Sequence, residues 1–237
     1  MTGVKYLTIL AGLLIFFSYE LIAQKPDAKL ILKKVQEQFS SINDYTVDAS
    51  INVDVDFLRV PEAKAKIYFK QPDKIRMKSE GFALIPKQGL NFSPARLLNE
   101  NFTAIYVRSD TLDNTQVEVI KAIPNVDSLD IILMTLWVDT VHNVIMQIES
   151  TTKNSGTVLM ELKYDFGKNE VLPAEVIFTF NLSNFKLPAS FTGEFDKPGE
   201  DSIEDSQSKI KGRVSIKYEN YLINTGIPDS VFVDSNK

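Results

Sequence analysis

Tyr45-Thr46-Val47-Asp48-Ala49-Ser50-Ile51-Asn52-Val53-Asp54-Val55-Asp56-Phe57 alternates apolar and polar side chains without a break. Successive side chains of a strand point to opposite faces, so the stretch predicts one long strand. Its apolar face carries Tyr45, Val47, Ala49, Ile51, Val53, Val55 and Phe57, and its wet face carries the intervening Asp, Ser, Asn and Thr residues. Such a strand belongs to an antiparallel sheet that covers something apolar on one side only.

The pattern continues outward. After Pro61, Ala63, Ala65, Ile67 and Phe69 alternate with Lys64, Lys66, Tyr68 and Lys70; beyond a tight turn at Pro72-Asp73, Ile75 and Met77 sit between Lys74, Arg76 and Lys78. Facing strands would set Asp48, Asp54 and Asp56 beside Lys64, Lys66 and Lys70, where cross-strand pairs contribute only ~0.2–1 kcal/mol each. That stripe reads as scaffold. Further strands are predicted at 103–108, 116–122, 131–138, 144–150, 157–164, 175–181 and 214–221, with a turn at Asn154-Ser155-Gly156. Upstream, Leu30, Val35, Phe39 and Ile42 recur at roughly helical spacing over 26–42 and predict an amphipathic helix. Ser93-Pro94 reads as an N-cap with proline at the first helical position, opening a short helix through Ala95, Leu97 and Leu98. Residues 197–209 are charged and turn-prone and read as a mobile loop.

The chain has 237 residues, 44% hydrophobic and 24% charged, with a net charge of −5 and dispersed lysines, so it is globular and carries no footprint for nucleic acid. It has no cysteine, which removes disulfides, thiolate chemistry and a lipid-anchoring cysteine. Lys5, the apolar run 6–17 and Leu21-Ile22-Ala23 before Gln24 have the order of a secretory signal, cleaved after Ala23. The remaining 24–237 reads as one domain and as a monomer. No catalytic motif, metal-ligand spacing or cofactor loop is present, and the single histidine, His142, stands at a predicted hairpin tip.

About ten long strands do not stay flat, because native twist curls them. One flanking helix and a second short one are too few for a helical layer and would act as a lid. The predicted fold is therefore mainly β: an incomplete, half antiparallel barrel with an N-terminal helix and a short helical lid enclosing an apolar cavity.

The helix leading into 45–57, the hairpin Ile67-Tyr68-Phe69-Lys70-Gln71-Pro72-Asp73-Lys74-Ile75-Arg76, the run Leu136-Trp137-Val138-Asp139 and the ending Tyr221-Leu222-Ile223-Asn224-Thr225-Gly226-Ile227-Pro228-Asp229-Ser230-Val231-Phe232 together resemble the LolA-like family of periplasmic lipoprotein carriers, with its relatives LolB and RseB. The resemblance implies a hollow that accepts lipoprotein acyl chains from an inner-membrane donor and delivers them to an outer-membrane acceptor. It also implies an arginine before the hairpin proline that ties the lid, where this chain has Gln71. The rival readings are an RseB-type lipid sensor acting on a membrane-bound partner and, from another class, an envelope glycan or lipid hydrolase.

Candidate lining residues are the inward stripe Val53, Val55, Phe57, Ile67, Phe69, Ile75 and Met77; the mouth residues Phe82, Leu84 and Ile85 in an apolar run broken by Gly81 and Pro86; and Met134 and Trp137 in a strand apolar on both faces. Each of these alone also fits ordinary core.

Overall fold

The computed structural model describes residues 25–55, 58–59, 61–80, 102–125, 131–153, 156–182 and 210–233. The signal-like segment, Phe57, Phe82, Leu84, Ile85, the helix expected after Ser93, the Asn154-Ser155 part of its turn and the loop 197–209 lie outside them.

Helix α1 (Ala28–Ser40) starts where Asp27 accepts hydrogen bonds from the backbone N–H groups of Lys29 and Leu30. It buries Ala28, Leu32, Val35 and Phe39, a stripe spaced four, three and four residues apart. Leu30 falls off that stripe and is 51% exposed, so the face expected from Leu30, Val35 and Phe39 is rotated.

Eleven strands follow: β1 (Asp44–Val55), β2 (Leu58–Arg59), β3 (Ala63–Lys70), β4 (Lys74–Glu80), β5 (Phe102–Leu112), β6 (Thr115–Pro124), β7 (Ile131–Asp139), β8 (Val144–Thr152), β9 (Thr157–Lys163), β10 (Glu175–Leu182) and β11 (Ile210–Ile223). They form one antiparallel sheet in the order β4-β3-β1-β11-β10-β9-β8-β7-β6-β5, with β2 folded back on the end of β1. β4 and β5 are consecutive in the chain yet stand at opposite edges, and the sheet is an open half-barrel.

The alternation of β1 sorts its faces as its sequence predicts. Val47, Ala49 and Ile51 are buried in the core with α1, whereas Asp48 meets Lys66 at 3.1 Å on the outer face. The Asn220 amide and then Lys66 hold the Asp48 carboxyl below its usual range. Lys70 does not join an acid of β1; it donates to the Ile227 carbonyl at 2.9 Å and to Asp229 at 2.7 Å.

A polar junction fixes the end of α1 to the start of β1 and the end of β11, neighbours within the sheet. Asp44, buried at the start of β1, accepts from the backbone N–H groups of Thr225 at 3.0 Å and Gly226 at 3.1 Å. Asn224 accepts from the N–H of Asn43 at 2.7 Å and donates to the Ser41 carbonyl at 2.9 Å. Gly226 and Asn224 both have positive φ there, which a glycine or asparagine tolerates best. From the junction the tail crosses the β3–β4 hairpin, where Arg76 donates to the carbonyls of Val231 and Val233 and Lys74 meets Asp229 at 3.2 Å.

Two outcomes follow from this junction. Asp44→Ala leaves two N–H groups without an acceptor beside the hydrophobic core and is expected to lower stability by about 2–4 kcal/mol in urea unfolding. Lys70, then Lys74, hold the Asp229 carboxyl below its usual range. A depressed carboxyl contributes its full stabilisation above the unfolded value near ~4 and loses it as pH falls through the folded one. Exchange protection of residues 229–233, normalised to intrinsic rates, is therefore expected to fall on acidification below about pH 4.

Candidate functional site

The strand register lets the inner face be followed across the sheet. Val53 pairs with Val214, Val214 with Phe178, Phe178 with Met160, Met160 with Ile148, Ile148 with Leu136, Leu136 with Ile120 and Ile120 with Tyr106. One apolar row thus runs from β1 to β5. Toward the β4 edge, Met77 pairs with Ile67 and Ile67 with Val47, while Ile75 pairs with Phe69 and Phe69 with Tyr45. Val53, Ile67, Ile75, Met77 and Met134 all belong to, or pack on, the cluster that holds Leu32 and Val35 of α1. Val55 continues the same face two residues beyond Val53. Phe69 lies in the adjoining cluster with Phe39, Ile42 and Leu172.

The predicted stripe is therefore brought onto one face, but Met134 stands five strands from β1, about 24 Å around the sheet. Trp137 does not join it. Its neighbours Leu136 and Val138 are in the inner cluster, so Trp137 points outward, opposite Val119. The backbone N–H of Thr111, then Arg108, does most to hold the Asp110 carboxyl below its usual range.

The inner face has two zones. Ile67, Ile120, Leu136, Val138, Ile148 and Ile216 are at most 5% exposed, whereas Val53, Ile75, Met77, Phe102, Tyr106, Ile131 and Met160 are only partly buried. A helix of 13 residues is about 20 Å long and ~10 Å across, while the row from β1 to β5 spans roughly 34 Å. Among the described residues, α1 therefore overlies only part of the face.

A chain of aromatic rings marks the end of the inner face beside the C-terminus of α1. Phe39 meets Phe69 edge-on at 5.7 Å, Phe69 stacks on Tyr45 at 5.0 Å, Tyr45 meets Tyr221 at 5.6 Å, and Tyr221 meets Tyr218 at 6.0 Å. Sequence periodicity misses the pair Tyr218 and Tyr221, which are three residues apart and should face opposite ways. A bulge reconciles them: Asn220 takes φ 57°, and the β1–β11 register shifts between Thr46 and Asp48. Only Tyr45, at the head of the alternating stripe, is legible beforehand.

Gln71 closes no lid among the described residues. Its side chain donates to the Ile42 carbonyl at 2.8 Å and its backbone N–H to Asn43, tying the β3–β4 hairpin to the α1–β1 connection. The outer face is polar: a groove of about 510 Å3 is lined by Ser50, Asn52, Asp54, Arg213 and Lys217 among others, a surface suited to water rather than to acyl chains.

His142 is held at its hairpin tip with its Nδ1 at 2.6 Å from the buried Asp139 and its ring stacked on Phe166 at 3.7 Å. Asp139 also accepts from the N–H groups of Val141 and His142, so the pair caps a turn. Among the described residues no group of three or more His, Cys, Asp or Glu could hold a metal ion, and no helix is long and apolar enough to cross a membrane.

No protein-family model matches the sequence, and no curated protein is significantly similar to it. Solved structures match its three-dimensional form. A domain from Vibrio parahaemolyticus assigned to outer-membrane lipoprotein sorting superposes with a TM-score of 0.56 at 9% identity, covering 87% of this chain and 97% of its own. A LolA superfamily protein from Nitrosomonas europaea gives 0.54 at 12% identity, covering 88% and 98%. The fold is that of the LolA superfamily. A DUF1329 family protein from Desulfovibrio piger gives 0.56 at 9% identity, again covering 88% and 98%, so the LolA fold is shared at full length by chains with little sequence in common.

The two zones are separable by truncation. Ile67→Ala, in the fully packed zone, is expected to cost about 3 kcal/mol in denaturant unfolding, and Val53→Ala, in the partly buried zone, about 1 kcal/mol or less.

Proposed function

We propose that the protein is a carrier of the bacterial periplasm, exported by a signal cleaved after Ala23, that shelters the acyl chains of a lipoprotein or another lipid in its half-barrel. The observation that carries this reading is the mismatch between the inner face and its described cover: an apolar row crossing eight strands, from β1 through β11 and β10 to β5, is overlain, among the described residues, by one helix of 13 residues. An apolar face of this extent is unstable in water. The likeness in fold to a domain assigned to lipoprotein sorting supports the same occupant.

The physical chemistry fits the task. Each lipid methylene removed from water contributes ~0.8 kcal/mol, so a free two- or three-chain anchor needs a host between membranes. Val53, Val55, Ile67, Phe69, Ile75, Met77 and Met134 form the described part of the proposed lining, to which Phe57 is also assigned, with Phe82, Leu84 and Ile85 proposed at the mouth. Met77, Met134 and Met160 supply flexible, polarisable contacts that adapt to chains of differing length. The carrier would receive cargo from an inner-membrane donor and pass it to an outer-membrane acceptor, acting as a monomer without cofactor or catalysis.

Native mass spectrometry of the protein purified without detergent, followed by organic extraction, is expected to show bound lipid or acylated peptide. A charge at the lining, Met77→Asp, is expected to cut uptake of a fluorescent acyl probe at least tenfold. Trp137 emission is expected to stay unchanged on uptake, since that residue faces outward. A bare protein that takes up no acyl probe would overturn the proposal.

A further inference from the structure

The aromatic chain on the inner face contains hydroxyl groups that no described residue engages. Tyr221 donates to the Pro173 carbonyl at 2.9 Å, and Tyr164, close by, donates to the Ile145 carbonyl at 3.1 Å. Among the described residues, neither the Tyr45 nor the Tyr218 hydroxyl has a hydrogen-bond partner, although both rings pack against the inner cluster. Both side chains are partly buried, and a donor withdrawn from water without a partner is unfavourable. Both hydroxyls flank Tyr221 in one continuous run of rings, so they open on the same part of the face.

The chemistry of the missing partner can be narrowed. Burial pushes the phenols of Tyr45 and Tyr218 well above their ordinary range, so both are neutral donors and require an acceptor. The register sends Lys64, Lys66, Lys78, Arg213 and Lys217 to the outer face, opposite Ser50, Asp48 or Asp54 or paired beside them. No cation of these strands is therefore available to neutralise a phosphate or carboxylate on the inner side, and a buried unpaired anion is strongly disfavoured. An uncharged carbonyl oxygen fits.

We propose that Tyr45 and Tyr218 form a hydrogen-bonding subsite of the hollow that receives the carbonyl oxygens of fatty-acyl ester or amide groups. This rests on the reading of the inner face as a lipid host and adds a register to it. Apolar contacts alone let chains slide, whereas two fixed donors at the end of the face beside the C-terminus of α1 set where the acyl linkage stops.

The test compares an ester-linked diacylglycerol with an ether-linked dialkylglycerol of equal chain length, both carrying the same fluorophore, on the wild-type protein and on the Tyr45→Phe/Tyr218→Phe double variant. The wild type is expected to prefer the ester by about five- to tenfold, the factor of one neutral hydrogen bond. The variant keeps both rings and is expected to lose that preference, with ether binding unchanged and stability in urea equal to or above wild type. Equal binding of both probes by the wild type, or an ester preference retained in the variant, would overturn the subsite while leaving the hollow intact. Loss of stability in the variant would also overturn it, because the hydroxyls would then serve the fold. A wild type that binds neither probe overturns the lipid reading itself, and the subsite with it.

Discussion

The Asp44 carboxylate joins the beginning of the sheet to its end. Its oxygens accept from the N–H groups of Thr225 and Gly226, just past β11, while the neighbouring Asn43 and Ser41 are held by Asn224. β1 and β11 are neighbours in the middle of the sheet, so this junction locks the two strands whose pairing spans the greatest separation in sequence. Such long-range pairing carries a large loop-closure entropy, and a buried carboxylate with matched donors offsets part of it. It also fixes the C-terminus of α1, and through it the line the helix follows over the inner face. Were the junction loose, the helix would have no reason to lie over one zone and leave the other open.

The edges of the sheet are treated unequally, and the difference follows from the same junction. β4 carries Lys74, Arg76 and Lys78 on its outward side, and the tail beyond Gly226 is strapped across its hairpin through Arg76, Lys70 and Lys74. Charge and a covering segment both discourage a strand from pairing with a stranger. β5, at the other edge, has instead a bulge between Tyr106 and Arg108 and exposes Ile105 and Val107. The chain that joins these edges, on opposite rims of the half-barrel, includes Phe82, Leu84 and Ile85, the residues proposed for the mouth.

Much of this architecture was legible because period-two alternation is a strong signal wherever one face is wet. β1, β3 and β4 were readable to the residue on both faces, and β7 to β10 nearly to their ends. Legibility failed where the backbone departs from regular geometry. β5 reads as 103–108 because its alternation breaks at the bulge, beyond which Ser109 and Asp110 resemble a loop; it runs to Leu112. The strand 131–138 is apolar on both faces, so nothing in its pattern says which way Trp137 points; register with Val119 decides it. Tyr218 and Tyr221 share a face only through a bulge at Asn220. Asp44 looks like any polar residue before a strand, since its partners lie some 180 residues away. Periodicity reports local geometry; it is silent about partners that the fold brings together.

A carrier must hold its cargo against water and still release it, and the division of the inner face suggests how one sheet meets both demands. Where α1 lies over Leu136, Ile120 and Ile148, the protein packs itself and gains the stability that keeps the half-barrel curved. Where the face is only partly buried, Val53, Met77 and Met160 leave contacts unmade, and under the proposed function an acyl chain would replace water there without displacing protein core. On that proposal, tighter protein packing in this zone would raise stability at the expense of binding, and loosening the packed zone would do the reverse. Among the described residues α1, begun at Asp27 and anchored at its far end by the Asp44 junction, is the one helix over the inner face, and its 13 residues are too few to span the row from β1 to β5.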